Sequence, residues 1–170
     1  MATQAQGHLL AWLRDAHAME EQAETLLTSQ ISRLKHYPDL RRKLEEHLEE
    51  TRRQAKLVDD CIQRLGGDTS AIKDTMGKMV AFGQGLSGLF VDDEVIKGTL
   101  ASYTFEQMEI ASYTILVAAA EACGDTTTAA ICTRILKEEQ AMAKWIADQT
   151  PNLVRAFLQL DETPGVAAKR

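Results

Sequence analysis

The sequence predicts an all-α protein built around a bundle of four long helices. Three features favour this fold class. Apolar residues recur at spacings of three and four along most of the chain, which is the period of an amphipathic helix. Ten glycines and three prolines among 170 residues leave few breaks between regular elements. Alternating segments bounded by tight-turn dipeptides, the pattern typical of strands, are nearly absent.

The first two helices are expected to form a hairpin. Helix one is predicted over residues 4–34, and the sequence His-Tyr-Pro-Asp at 36–39 breaks the chain after it. Pro38 fits the first turn of helix two, where its missing N–H costs little. Helix two then runs to about Leu65, and Gly66-Gly67 ends it with a glycine C-cap.

A second hairpin follows a long connection. Residues 69–93 contain a short predicted helix and then a glycine-rich piece. Helix three is predicted over 93–122, and helix four runs from a turn at Gly124-Asp125 to about Gln149. Two short loops and one long connection favour the ferritin-like version of the four-helix bundle, because an up-down-up-down bundle needs a third short loop.

The whole chain, 1–170, is expected to form one ferritin-like domain with its core over about 4–150. Pro151 is expected to start a separate short C-terminal helix over 151–164. The tail over 165–170 is expected to be disordered.

Composition excludes several classes of function. The net charge of −6 disfavours a nucleic-acid partner, which would need a basic face. We expect no membrane span and no secretory signal, because no run approaches about eighteen apolar residues and the start lacks a basic segment. The three cysteines, Cys61, Cys123 and Cys132, form no CxxC motif. They therefore favour free thiols in a reducing cytoplasm.

Several glutamates fall on the apolar stripes of the predicted helices. Glu20 lies on the stripe of helix one and Glu139 on that of helix four, while Glu106 and Glu109 share the inner face of helix three. Glu50 lies at the flank of the helix-two stripe. The gaps from Glu20 to Glu50 and from Glu106 to Glu139 each span one hairpin, so the acids are expected to meet at one level of the bundle.

Buried carboxylates need a neutralising partner. An unpaired one costs several kcal/mol, and a set of them would remove much of a typical stability of about 5–15 kcal/mol. Divalent cations would neutralise such a set, and oxygen ligands with some imidazole suit iron, manganese or zinc. Two alternatives remain open at this stage: single glutamates that reach solvent at a helix edge, and acids that keep their protons.

Two histidines precede predicted acids by three residues and so share their helix faces. His47 lies close to the helix-two stripe, where it is a candidate ligand or a buried structural histidine. His17 is the second such residue. The Glu-x-x-His motif typical of di-metal bundles is absent from both hairpins.

Three segments resemble the YciE/YciF family of bacterial ferritin-like proteins. They are Asp-Ala-His-Ala-Met-Glu-Glu-Gln at 15–22, His-Leu-Glu-Glu-Thr-Arg-Arg-Gln at 47–54 and Glu-Gln-Met-Glu-Ile-Ala-Ser-Tyr at 106–113. The resemblance covers about residues 6–150. It implies a ferritin-like fold, usually dimeric, a link to bacterial stress responses, and a di-iron or other di-metal centre.

The resemblance also implies a ligand set. Carried over by position, the ligands are Glu20, Glu50, Glu106, Glu109 and Glu139. Many members of the family have a histidine where Gln54 stands here, and they often have an acid at the position of Ala143. We include Gln54 and His47 as further candidates for metal contact.

The sequence thus supports one principal hypothesis and two alternatives. The principal hypothesis is a cytoplasmic, homodimeric stress protein that binds one or two metal ions, iron first and manganese or zinc otherwise. Iron would allow oxidase- or peroxidase-type chemistry, so enzymatic activity stays open. The alternatives are a non-catalytic bundle that has lost a full metal site and a helical adaptor whose contact surface is 76–90.

Overall fold

The protein is a bundle of long antiparallel helices. The computed structural model describes residues 3–68 and 92–168. These parts form α1 (Gln4–Arg33), α2 (Pro38–Arg64), α3 (Glu94–Ala122) and α4 (Thr126–Asp161), and they contain no strand. The predicted all-α, ferritin-like four-helix bundle is therefore confirmed. The short helix expected in the connection and the adaptor surface at 76–90 lie outside the described residues.

The ends of the helices follow from the local sequence. Thr3 and Gln6 form a capping box at the start of α1, with each side chain bonded to the backbone N–H of the other residue. Asp125 caps α4 by accepting a hydrogen bond from the backbone N–H of Thr128 at 3.0 Å. Gly124, at a φ of +72°, provides the left-handed residue that lets the chain turn sharply between α3 and α4.

The last helix differs from the sequence prediction. We expected helix four to end near Gln149 and a separate helix to start at Pro151, but α4 continues through this proline to Asp161. Pro151 lies on the solvent side of α4, and the carbonyl left without its N–H partner belongs to Ala147, which is also exposed. Because Ala147 lies on the exposed side of the helix, the missing hydrogen bond is outside the apolar core and the helix is not forced to end there.

The chain after α4 packs back onto the start of α2. The hydroxyl of Tyr37 donates a hydrogen bond to the carbonyl of Ala168, and Ala168 is only 3% exposed. A buried tyrosine hydroxyl needs an acceptor, and this carbonyl supplies one. Within the tail expected to be disordered, 165–170, Ala168 is fixed by this contact, and residues 169–170 lie outside the described residues.

Two apolar clusters fill the two ends of the bundle interior. α1 packs against α2 and α3, and α4 packs against α3 and α2. One cluster includes Leu9 and Ile62, and the other includes Leu44 and Ile146. Between the clusters each helix contributes polar side chains, so the candidate site lies midway along the bundle. None of the described helices is long and apolar enough to cross a membrane.

Candidate metal centre

A layer of buried polar side chains crosses the middle of the bundle, with members from all four helices. These side chains come from residues that are at most 3% exposed: Glu20 on α1, His47 and Gln54 on α2, Glu106 and Glu109 on α3, and Glu139 on α4. The four glutamates predicted to lie on apolar stripes therefore all face the interior. The expected spacing within each hairpin brings them to one level.

Four members of this layer converge on one point. His47, Glu106, Glu109 and Glu139 each offer a ligand atom, and these atoms all lie within 4.8 Å of one another. Nε2 of His47 is 3.4 Å from Oε1 of Glu106 and 3.5 Å from Oε2 of Glu139. Three carboxylates and one imidazole form a donor set that suits first-row transition metals. This group could hold a metal ion.

Three carboxylate oxygens of the layer lack a hydrogen-bond donor from the protein. They are Oε2 of Glu20, Oε2 of Glu106 and Oε2 of Glu139. Leaving a buried polar oxygen without a partner is unfavourable by about 1–3 kcal/mol. The unsatisfied oxygens and the donor set together fit a bound cation.

Glu20 lies outside the group of four. The hydroxyl of Tyr113, which is fully buried, donates a hydrogen bond to Oε1 of Glu20. Tyr113 is thus a core aromatic residue with a hydrogen-bonded hydroxyl. Tyr113 satisfies one oxygen of Glu20, and the other, Oε2, is buried without a hydrogen-bond partner.

Glu50 and Gln54, both predicted ligands on α2, also lie outside the group of four. The Glu50 side chain is 31% exposed, and its Oε2 lies 3.0 Å from Nδ1 of His47. The Gln54 amide donates to Oε1 of Glu139 at 2.5 Å and to Oε2 of Glu138 at 3.0 Å. Each of the two residues therefore contacts a member of the group.

His17 is not brought to the centre. Its Nδ1 lies 3.8 Å from Oε2 of Glu21, one turn further along α1, and it is not part of the converging group. Of the two histidines considered from the sequence, the structure places only His47 among the carboxylates. His47 is 1% exposed.

Burial shifts the protonation of the acids. It raises the pKa of Glu20 from 4.5 to about 8, although the hydrogen bond from Tyr113 acts in the opposite direction. It also raises the pKa of Glu109 and of Glu139 well above 4.5, with help from neighbouring carboxylates. A cation that binds among these acids must therefore displace protons.

The pKa of His47 shifts upwards for a different reason. Burial by itself lowers this pKa, but hydrogen bonds to Glu106 and Glu50 and the charge of Glu139 outweigh burial and raise it well above 6.5. The pKa of Glu50 is lowered, chiefly by its hydrogen bond to His47. Without a metal ion, these contacts favour the protonated form of His47.

Comparison with known proteins identifies the family. A family model described as a domain of unknown function, DUF892, matches residues 4–159. The chain belongs to this family. The DUF892 match spans all four helices, from the start of α1 almost to the end of α4.

The chain is also similar to three solved structures. A protein from Xanthomonas campestris pv. campestris is 38% identical with a TM-score of 0.80, and the match covers 94% of this chain and 100% of that one. YcfI from Rhodopseudomonas palustris is 27% identical with a TM-score of 0.68, covering 85% and 94% of the two chains. The E. coli stress protein YciF, 23% identical with a TM-score of 0.70 and coverages of 91% and 99%, shares the fold. The resemblance to the YciE/YciF family is confirmed.

One residue beside the centre of this DUF892 protein was missed by the sequence analysis. Glu138 accepts hydrogen bonds from Gln54 and from Arg53, at 3.0 and 3.1 Å, and Arg134 lies 3.3 Å away. The four-residue spacing of Arg134 and Glu138 was the only visible signal. Contacts with α2 depend on how the hairpins pack, which the spacing does not specify.

Proposed function

We propose that this chain is a metal-binding bacterial stress protein that holds one or two transition-metal ions in the middle of its bundle. The observation that carries the proposal is the convergence of His47, Glu106, Glu109 and Glu139 within 4.8 Å, in a layer that contains carboxylate oxygens without a donor. The stress role is taken from YciF, which is described as a stress protein.

Iron is the proposed native ion, with manganese and zinc as alternatives. The donor set of three carboxylates and one imidazole is compatible with all three metals. Bound iron would supply redox chemistry towards O₂ or peroxide, so we propose oxidase- or peroxidase-type activity as the finer form of this function. The chain's own contribution is to exclude water, to hold the ion with His47, Glu106, Glu109 and Glu139, and to release the protons that burial favours on Glu109 and Glu139.

Titration of the chelator-treated protein with Fe(II), Mn(II) and Zn(II) tests the proposal. We expect binding by calorimetry and, at a free metal concentration 100-fold above Kd, a rise of about 2.7 kcal/mol in the free energy of unfolding. A double variant, Glu106→Gln with Glu139→Gln, should lose both effects. Glu121→Gln removes an exposed acid of α3 and is the matched control. If none of the three metals binds the wild-type chain, the proposal is wrong.

A second candidate function is a non-catalytic bundle that has lost a full site. The observation that favours it is that Glu20 and Glu139 each have one oxygen satisfied by a neutral side chain, Tyr113 and Gln54. The double variant Glu20→Ala with Glu139→Ala separates the two candidates. Both candidates lose stability in chelator, because the alanines leave cavities and remove the acceptors of Tyr113 and Gln54. Only a metal protein also loses a stabilisation that depends on added metal.

We also propose that the chain forms a homodimer in the cytoplasm through the outer face of α3. Between Lys97 and Glu121 this helix carries no outward charge, and Leu100 and Ile115 are 61% and 53% exposed. Cores of homodimer interfaces are depleted in charge, and two-fold symmetry pairs one patch with itself. The cytoplasmic location is supported by the chain's three free cysteines.

Molar mass by light scattering tests the dimer. The wild-type protein should have twice the chain mass, and Leu100→Glu with Ile115→Glu should reduce it to the monomer. Leu158→Glu places the same charge on α4 at a residue that is 55% exposed, and it should leave the dimer intact. A wild-type protein that is monomeric at micromolar concentration would contradict this part of the proposal.

A further inference from the structure

Glu50 differs in placement from the other acids predicted as ligands. Its side chain is 31% exposed, whereas those of Glu106 and Glu139 are 4% and 0% exposed. It offers no ligand atom to the group that converges within 4.8 Å. Its carboxylate instead lies 3.0 Å from Nδ1 of His47. This placement indicates a role that acts through the histidine.

The two ring nitrogens of His47 face different surroundings. Nδ1 meets Glu50 at the edge of the bundle, and Nε2 points to Glu106 and Glu139 in the centre. An imidazole that binds a metal must have its lone pair on the coordinating nitrogen and its proton on the other. A carboxylate that accepts the N–H of the second nitrogen fixes both the tautomer and the orientation of the ring.

We propose that Glu50 is a positioning residue, which accepts the Nδ1–H of His47 and so presents Nε2 to the ion held by the buried carboxylates. The inference rests on the proposed metal site. It replaces the role that the family resemblance implied for Glu50, which was direct coordination. His47 then takes the place of Glu50 as the ligand from α2.

Two substitutions of Glu50 separate positioning from coordination. Glu50→Ala removes the acceptor and should weaken zinc affinity by about 10- to 100-fold, the usual effect of losing such a partner. Glu50→Gln keeps an oxygen that accepts the same hydrogen bond, so its affinity should stay within a few-fold of the wild type. A directly coordinating carboxylate would be lost in both variants, and both would then weaken binding equally.

The nitrogen chemical shifts of His47 in the zinc-loaded protein give a readout beyond affinity. We expect zinc on Nε2 and a proton on Nδ1 in the wild type and in Glu50→Gln, and loss of this single pattern in Glu50→Ala. Glu49→Ala is the matched control, because Glu49 is the adjacent acid, its side chain is 70% exposed, and it pairs with Arg52 outside the centre.

Three results would overturn the role of Glu50: unchanged zinc affinity in Glu50→Ala, equal losses in the two variants, or zinc on Nδ1. Failure of the wild-type chain to bind zinc, iron or manganese would remove the metal site itself. The affinity of the wild type thus separates failure of the site from failure of the positioning role.

Discussion

Ile135 and Glu139 lie one turn apart on α4, and both are 0% exposed. Ile135 belongs to the apolar cluster at one end of the bundle, whereas Glu139 lies in the polar layer beside it. Burial of the isoleucine is favourable because apolar surface leaves water. Burial of the carboxylate is unfavourable because a charge leaves water. Equal burial of these two side chains on one helix therefore has opposite effects on the stability of the fold. The polar layer is better explained by the binding of a metal ion than by a contribution to folding.

The largest expected effect is the loss of apolar contacts at Ile135. We expect Ile135→Ala to lower the free energy of unfolding by about 2–5 kcal/mol, because a buried side chain is removed and a cavity remains. The loss should be the same in chelator and in excess metal, as measured by urea denaturation. A loss below about 1 kcal/mol would mean that the apolar end of the bundle is loosely packed.

The matching substitution in the polar layer is Glu139→Met, which keeps a long side chain without the charge. In chelator we expect a loss of at most about 1–3 kcal/mol, because Gln54 loses one of its two carboxylate acceptors and keeps the other, Glu138. In excess metal the variant should lack the increment that the wild type gains. Strong destabilisation of the metal-free variant would show that Glu139 contributes to folding as Ile135 does.

This contrast explains how much the sequence could predict. The apolar spacing predicted all four helices. Four glutamates interrupt the same apolar stripes, so the same periodic pattern also predicted that their side chains are buried: Glu20, Glu106, Glu109 and Glu139. The continuation of α4 through Pro151 was not predictable in this way. It depends on which side of α4 the carbonyl of Ala147 faces. That side is decided by how the four helices pack, which the apolar spacing does not specify.

The apolar spacing also could not predict the role of Glu50. A residue at the flank of a stripe can direct its carboxylate inwards or along the helix, and a rotation about its side-chain bonds decides between the two. The sequence placed His47 and Glu50 on one face but did not indicate that they hydrogen-bond to each other. The tertiary contacts of His47 with α3 and α4 supply the missing information.

The second expected effect is a fall in the stability of the metal-free protein as pH rises. Burial raises the pKa of Glu20 from 4.5 to about 8, so between these values the folded chain keeps a proton that the unfolded chain has released. The stabilisation that this proton contributes is fully present below pH 4.5 and is lost as pH rises through about 8. Glu109 and Glu139 shift in the same direction, as does His47, whose contribution is present below pH 6.5. Within this range, each retained proton lowers the free energy of unfolding by on the order of 1 kcal/mol for every unit that the pH rises.

Urea denaturation in chelator at several pH values from 5 to 8 measures this effect. The metal-loaded protein should lose less stability than the metal-free one over this range, because fewer protons compete with the ion as pH rises. The difference in stability between the two forms should therefore widen towards pH 8. Metal-free protein that becomes more stable from pH 5 to 8 would contradict the assignment of protons to this layer.

The smallest expected effect comes from the hydrogen bond between Tyr113 and Glu20. Tyr113→Phe keeps the ring and removes the hydroxyl, which leaves a buried carboxyl oxygen of Glu20 without its donor. We expect a loss of about 1–3 kcal/mol in the metal-free protein. Tyr103→Phe changes the same group on α3 at a residue that is 37% exposed, and surface changes of this kind usually stay within about 0.5 kcal/mol.

The pH dependence of this loss links Tyr113 to the charge in the polar layer. The hydrogen bond lowers the pKa of Glu20 against the larger effect of burial, so it stabilises the charged carboxylate more than the neutral acid. The loss in Tyr113→Phe should therefore be larger at pH 9 than at pH 6, on either side of the value of about 8. An equal loss at the two pH values would mean that the hydroxyl acts through packing alone, as it would in the apolar ends of the bundle.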